Sequence, residues 1–303
     1  MKKMKFNGYL AVVISAVAFG FTPWAVKFLY AEGMNAMSVV FWRQLISLPF
    51  LALLAFLQNK TLKVPAKSLP KVSLTALLGG CITPVLLYLS YQYMPTGSAT
   101  LFHYIYPALV VLGCVLLREE QIKWGNVISV AFCVVGVCLF YAPGHNVDWR
   151  GAFPALASGL AYAAYIMLLS HNDNRAVPGF LFSFYMTLIS SVVLLVVCLI
   201  TGQLTFPADG SGWLTLSVFS VGVTICAVAL FQLGTFLIGA RDAAVCSSLE
   251  PIVAVAVGAI AFQELPDKRV LLGGAFVLFG YLLIAITNKA KKTDKKPPRG
   301  GAP

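Results

Sequence analysis

The sequence predicts an all-α membrane protein: ten transmembrane helices built as two inverted five-helix repeats, with both termini on the cytoplasmic side. Three observations carry this. Of 303 residues, 59% are hydrophobic and 11% charged, against roughly 45–50% and about 25% in globular proteins. A soluble domain of this size cannot hide so much apolar surface, so lipid must be the solvent for much of it. Ten apolar segments approach the ~20 residues that a helix needs to cross the hydrocarbon. And one stretch is written twice, as Thr96–Glu120 and again as Ala240–Glu264. Pro251 stands where Pro107 stood, Glu264 where Glu120 stood and Gly280 where Gly136 stood, all at an offset of 144 residues. A period this long means two copies of a whole bundle, not a solenoid of small units.

The first copy, residues 8–141, comprises Gly8–Phe28, Met37–Leu57, Leu74–Tyr93, Ala99–Leu117 and Trp124–Tyr141. The first run passes Ala16-Val17-Ala18, which imitates a signal-peptide cleavage site, and continues to Phe28; a transmembrane helix is expected here, not a leader. The second carries Arg43. The third and fourth are joined by little more than Met94-Pro95-Thr96-Gly97, a tight antiparallel hairpin. The fourth holds His103 and Pro107 and closes on Glu120; the fifth holds Gly136.

The second copy, residues 151–287, comprises Ala152–Leu169, Phe180–Ile200, Trp213–Ile238, Ala243–Phe262 and Val270–Ile286. Its first segment repeats Ser15–Gly20 as Ser158–Ala163, at an offset of 143. Ala16 and Gly20, like Gly159 and Ala163, make a face of small residues that lets backbones approach closely. The eighth and ninth spans are again joined by a short turn, Gly239-Ala240-Arg241-Asp242. Gly280 in the tenth matches Gly136 in the fifth, and the two serve either a dimer face or packing within one chain. The tail 288–303, rich in Lys, Pro and Gly, is expected to be disordered.

Charge orients the bundle. Loops on one side and the two termini hold seventeen Lys and Arg, the other side only Lys27, Arg150, Lys268 and Arg269. This positive-inside asymmetry places both termini in the cytoplasm and the chain in the cell inner membrane as a multi-pass protein. The net charge of +11 therefore reports lipid contact and not nucleic-acid binding. The seven cysteines all lie in apolar spans and form no CxxC, which reads as packing; no metal or cofactor is expected. Because five is odd, the second copy enters from the opposite face. Inverted repeats of this kind are typical of secondary transporters that alternate between two facing states.

With Phe41-Trp42-Arg43 in the second span, Tyr106-Pro107 with Glu120 in one copy and Leu249-Glu250-Pro251 with Glu264 in the other, the chain resembles the drug/metabolite transporter superfamily, with two EamA-type domains. The resemblance runs from about Gly8 to Ile286. It implies export of amino acids, other metabolites or drugs, driven by an ion gradient or by the substrate's own gradient.

Candidate site residues follow from cost. Glu250 is the one carboxylate deep in a span and Arg43 the one deep guanidinium, and charges at that depth cost several kcal/mol unless paired or wet. Two readings stand: a buried Arg43–Glu250 ion pair that locks the bundle, or two unpaired groups that receive the carboxylate and the amino group of a zwitterion. Pro107 and Pro251 each kink a helix by removing the hydrogen bond to the carbonyl four residues earlier, those of His103 and Ser247. Two open acceptors near the midplane are expected, lining a cavity or finding a partner. His103 and Tyr106 share a stripe with Pro107, as Ser247 and Glu250 do with Pro251. His103 either exchanges a proton or is a hydrogen-bonded wall residue. Among the aromatics, Trp42, Tyr106 and Tyr162 are the candidates to face the substrate. Glu120 and Glu264, at helix C-termini where a carboxylate opposes the dipole, should bind the start of the following helix or loop as structural braces.

The sequence has no HExxH, GxSxG or Walker A motif, so neither an enzyme nor a built-in ATP drive is expected. The reading is a secondary transporter that exports small metabolites such as amino acids by alternating access, with proton or ion coupling open. The alternative is export of organic cations or drugs with Glu250 as the counter-charge.

Overall fold

A computed structural model describes residues 2–59, 61–116, 124–140, 148–170, 177–238, 243, 246, 247, 249–264 and 267–289. Within them the chain is helical, without a strand. The first span is two helices, α1 (Lys2–Gly20) and α2 (Thr22–Ala31), parted by a turn at Phe21. Pro23 accounts for the break: it lacks the N–H that would bond Phe19, and it sits in the first turn of α2, where that loss is tolerated. Then α3 (Ala36–Asn59) runs unbroken through Pro49.

The third span is α4 (Leu69–Ala76), a wide π-type turn over Leu77–Ile82, and α5 (Thr83–Ser90). Pro84 frees the carbonyl of Gly80, and Gln44 Nε2 of α3 donates to it at 3.0 Å. The matching span of the second half also widens, over Gly222–Ala229, between α11 (Gly210–Val221) and α12 (Leu230–Ile238). Here too side chains take up carbonyls: Ser15 Oγ donates to Ala227 at 2.7 Å.

The fourth span differs from the single kinked helix expected. It is α6 (Thr96–His103) and α7 (Tyr106–Leu116), separated at Tyr104-Ile105. Pro107 is the second residue of a new helix, and Ala108 and Leu109 bond back to Ile105. After α8 (Trp124–Phe140), the second half supplies α9 (Trp149–Ser170), α10 (Gly179–Thr201), α11 and α12, then α13 (Leu249–Phe262), where Pro251 again stands in the first turn, and α14 (Lys268–Lys289).

The halves interlock pair by pair. α1 packs on α12 and α13, while α9, opening the second half, packs on α5, α6 and α7; α3 lies along α10 and α8 along α14. Small residues make this possible. A Cβ on Gly136 would lie 2.6 Å from the Gly273 carbonyl oxygen, and one on Gly280 2.6 Å from that of Ser129, so these glycines serve packing within the chain. Large rings fill the centre: Phe102, Tyr104, Tyr106 and Phe182 are fully buried. The periphery instead exposes Leu116, Ile200, Leu214 and Ile260, which a water-facing surface does not accommodate. Six helical stretches, beginning at Phe6, Ala36, Ala66, Trp149, Gly179 and Gly210, are long and apolar enough to cross a membrane. This is an all-helical, multi-pass membrane protein.

Candidate functional site

The proline-bearing segments of the two halves meet. Pro251 frees the carbonyl of Ser247, and of the two outcomes expected for that acceptor the structure shows a partner: the Tyr104 hydroxyl, from the break in the other half, donates to it. The same hydroxyl lies 3.2 Å from Glu250 Oε2, and Tyr106 Oη lies 3.1 Å from Ser247 Oγ. The His103 carbonyl, freed by Pro107, is covered by Gly159, where a Cβ would approach to 2.6 Å. The small-residue face of α9 therefore lets α9 reach the broken part of the fourth span.

Beside this junction lies a cavity lined by Phe19, Thr22, Arg43, Thr83, Tyr88, Tyr91, His103, Tyr162, Tyr165 and Glu250 among others. It admits the centres of water molecules over about 70 Å³. That holds a handful of waters or a small metabolite, at ~10–15 Å³ per water, and falls short of the ~300 Å³ and more of drug-sized sites. Arg43 is 3% exposed and its Nε has no hydrogen-bond partner. Among the described residues the only ion pair within 4.0 Å joins Lys27 to Glu264, so Arg43 and Glu250 share a cavity without pairing. Of the four sealed and unpartnered side-chain polar atoms among the described residues, three belong to lining residues: Thr22 Oγ1, Arg43 Nε and Thr83 Oγ1. Orphaned polar groups are rare in protein interiors, and three of them lie on residues of this one cavity wall, each sealed from the cavity itself.

Of the residues predicted from sequence, Arg43, His103, Tyr162 and Glu250 line the cavity, whereas Tyr106 and Ser247 are not in its lining and contact each other in the junction. The His103 ring is packed at a tilt among tyrosines, its centroid 5.5 Å from that of Tyr106 and 5.2 Å from that of Tyr162. Trp42 is not part of it. Its Nε1 donates to the Thr205 carbonyl at 3.0 Å and its ring packs on Phe206 and Trp213. Neighbouring helical residues diverge by about 100°, so Trp42 and Arg43 cannot both face inward. Glu264 does not grip the helix or loop that follows it. Its carboxylate pairs with Lys27 of α2 and accepts from Thr96 N and Oγ1 at 2.9 and 2.8 Å, holding the start of α6 in the other half. Glu120 lies outside the described residues.

Thr22, Thr83, Tyr88, Tyr91 and Tyr165 were not legible as site residues. One signal was available for two of them: Thr-Pro occurs twice in the chain, at Thr22-Pro23 and Thr83-Pro84, each time where a span is broken or widened. A proline removes the backbone bond of its own position and directs the preceding threonine toward the disturbed turn.

Broken helices of membrane-crossing length around a cavity lined by charged and aromatic side chains define the class of membrane transport proteins. The EamA-like transporter family model matches residues 6–142 and 149–286. The chain belongs to that family, as a transporter and not an enzyme, with one match per half. It is 29% identical over 221 residues to an uncharacterized transporter of Synechocystis sp., spanning 70% of this chain and 65% of that protein. It is 26% identical over 280 residues to an uncharacterized transporter of Archaeoglobus fulgidus, spanning 91% and 95%. A solved crystal structure shares the fold with a TM-score of 0.66 at 15% identity, covering 97% of this chain and all of that one.

Proposed function

We propose that the protein is a secondary active transporter that exports small zwitterionic metabolites such as amino acids, by alternating access between two inverted five-span repeats in the inner membrane. The observation that carries this reading is the pair of opposite charges, Arg43 and Glu250, facing one cavity without bonding each other. A guanidinium held without a partner costs several kcal/mol, and a carboxylate ligand removes that cost; the carboxylate of Glu250 does the same for an ammonium group. One molecule carrying both complements satisfies the two charges together.

The reciprocal packing of α1 on the second half and α9 on the first supports an inverted repeat; ten spans and cytoplasmic termini rest on the apolar segments and the Lys/Arg asymmetry of the sequence. On that orientation, the Lys27–Glu264–Thr96 contacts seal the outer rim, and exchanging the conformations of the halves opens it. Export is the direction that the family resemblance implies, with an ion gradient or the substrate's own gradient as the drive.

The second reading, export of organic cations, draws on the aromatic lining of Phe19, Tyr88, Tyr91, Tyr162 and Tyr165 around Glu250. Uptake of labelled amino acids and of an organic cation into proteoliposomes separates the two, using the wild type, Arg43→Gln and Glu250→Gln after each is shown to be folded. Amino-acid flux lost in both variants supports the zwitterion. Cation flux that survives Arg43→Gln and needs Glu250 replaces it with the second reading, and wild-type protein that carries neither sinks both.

A further inference from the structure

The tautomer of His103 can be assigned from its neighbours. Its Nδ1 lies 2.8 Å from Ser158 Oγ, and Ser158 Oγ itself donates to the Ala155 carbonyl at 2.6 Å. A serine hydroxyl has one proton. With that proton directed at Ala155, the oxygen can only accept, so the hydrogen between the two side chains belongs to His103 Nδ1. The neutral imidazole so fixed has a bare Nε2. This nitrogen has no protein partner, yet it is absent from the sealed, unpartnered atoms among the described residues. It therefore borders open space, and the open space at His103 is the cavity.

That changes the chemical inventory of the site. Arg43 offers only N–H donors to the cavity, and a hydrogen bond to a ligand carboxylate is what it lacks. Glu250 offers oxygen acceptors, one of which already contacts Tyr104. An ammonium group carries three N–H bonds and needs more than one acceptor. We infer that His103 Nε2 is the second acceptor for the substrate's ammonium group, and that Ser158, outside the cavity, is the positioning residue that keeps it an acceptor. This rests on the zwitterion reading of the cavity. It adds a specificity that charge alone does not provide. A primary ammonium satisfies both Glu250 and His103, whereas an N-trimethylated one satisfies the charge and leaves Nε2 unpaired, which polar sites reject strongly.

The test has a spectroscopic arm and a transport arm. The chain has three histidines, so His145→Gln and His171→Gln leave His103 as the single reporter. In nanodiscs, ¹⁵N-histidine NMR should show one protonated ring nitrogen, Nδ1, and one bare nitrogen, Nε2. Ser158→Ala should let the proton move to Nε2. In proteoliposomes given a mixture of labelled amino acids, His103→Phe and Ser158→Ala should each raise KM roughly tenfold or more. His103→Phe should also erase the preference for the best-carried amino acid over its N-trimethyl derivative. A wild-type ring protonated at Nε2, or at both nitrogens, overturns the inference whatever the transport result. An unchanged KM and preference in His103→Phe, with wild-type amino-acid flux intact, overturns it while leaving the zwitterion reading in place. Absence of amino-acid flux in the wild type removes that reading and this one together.

Discussion

At the rim where α2, α6 and α13 meet, Lys27, Glu264 and Thr96 satisfy one another: an ion pair, two hydrogen bonds at 2.8 and 2.9 Å, and the Lys27 ammonium 5.1 Å from the Phe262 ring. In the middle of the bundle, Arg43 and Glu250 sit in one cavity and do not pair. One helix, α13, carries a carboxylate of each arrangement, Glu250 within it and Glu264 just past its end, so the difference is one of design. Pairing locks elements of the two halves together at the rim. In the middle, pairing would compete with a ligand, and stability is given up there to keep the groups available, as at other functional sites.

The sharpest way to break this comparison is to neutralise one charge in each region. Arg43→Met removes a buried guanidinium that nothing compensates. Flux should fall at least about a hundredfold, as two or more charge-assisted hydrogen bonds are lost, while the folded state is unchanged or stabilised by about 1–4 kcal/mol. Thermal unfolding in detergent, measured beside transport, checks both signs. A large loss of stability would mean that Arg43 is a structural bond and not a waiting one.

The rim should respond in the opposite sense. Glu264→Ala strands Lys27 and the Thr96 N–H, which costs about 1.5–3 kcal/mol for hydrogen bonds to a charged group. It should also favour opening at that rim. A cysteine placed at Thr83, in the cavity wall, would then be labelled several-fold faster by a membrane-impermeant thiol reagent than in the Glu264 parent. Unchanged labelling and stability would leave Glu264 without the closing role.

The architecture was far more legible than the site, for a physical reason. Apolar length, charge asymmetry and the 144-residue offset are one-dimensional quantities, and they survive folding unaltered. A buried Arg or Glu declares itself by cost, so Arg43 and Glu250 could be chosen without coordinates. Trp42 conflicts with that choice already in the sequence, because it adjoins Arg43 and the two diverge by about 100° on the helix; only its partners, Thr205, Phe206 and Trp213, needed the structure. Tyr104 was passed over because its part comes from the helix break at 104–105, and Glu264's true partner lies 168 residues away at Thr96.

A smaller effect tests the close approach behind the central junction. Gly159 and Gly222 are both helical, yet a Cβ at Gly159 meets the His103 carbonyl at 2.6 Å and one at Gly222 meets nothing within 4 Å. Gly159→Ala should cost about 1–3 kcal/mol, because backbone and not a flexible side chain must yield. Gly222→Ala should stay within about 0.5 kcal/mol. Equal costs would mean that α9 can move away from the break freely.

The smallest effect concerns a carboxylate at the rim that has hydrogen bonds but no cation. Asp209 caps α11, its Oδ1 accepting from Gly212 N at 2.9 Å and from Ser211 N and Oγ at 2.8 Å. The bond from Gly212, followed by those from Ser211, holds its carboxyl below the usual carboxylate range. A group that binds its proton more weakly when folded contributes stability above its unfolded pKa of about 3.9, and that contribution is lost as pH falls through the lower folded value. The amides of Ser211 and Gly212 should therefore stay protected from hydrogen exchange down to about pH 4 and lose protection only below it, whereas Asp209→Ala should expose them at every pH. Because the group is solvent-exposed, the change should remain local to the start of α11, without shifting global unfolding. Loss of protection already at pH 5–6 would show that the cap does not hold this end of the helix, and that the rim depends on the Lys27–Glu264–Thr96 contacts alone.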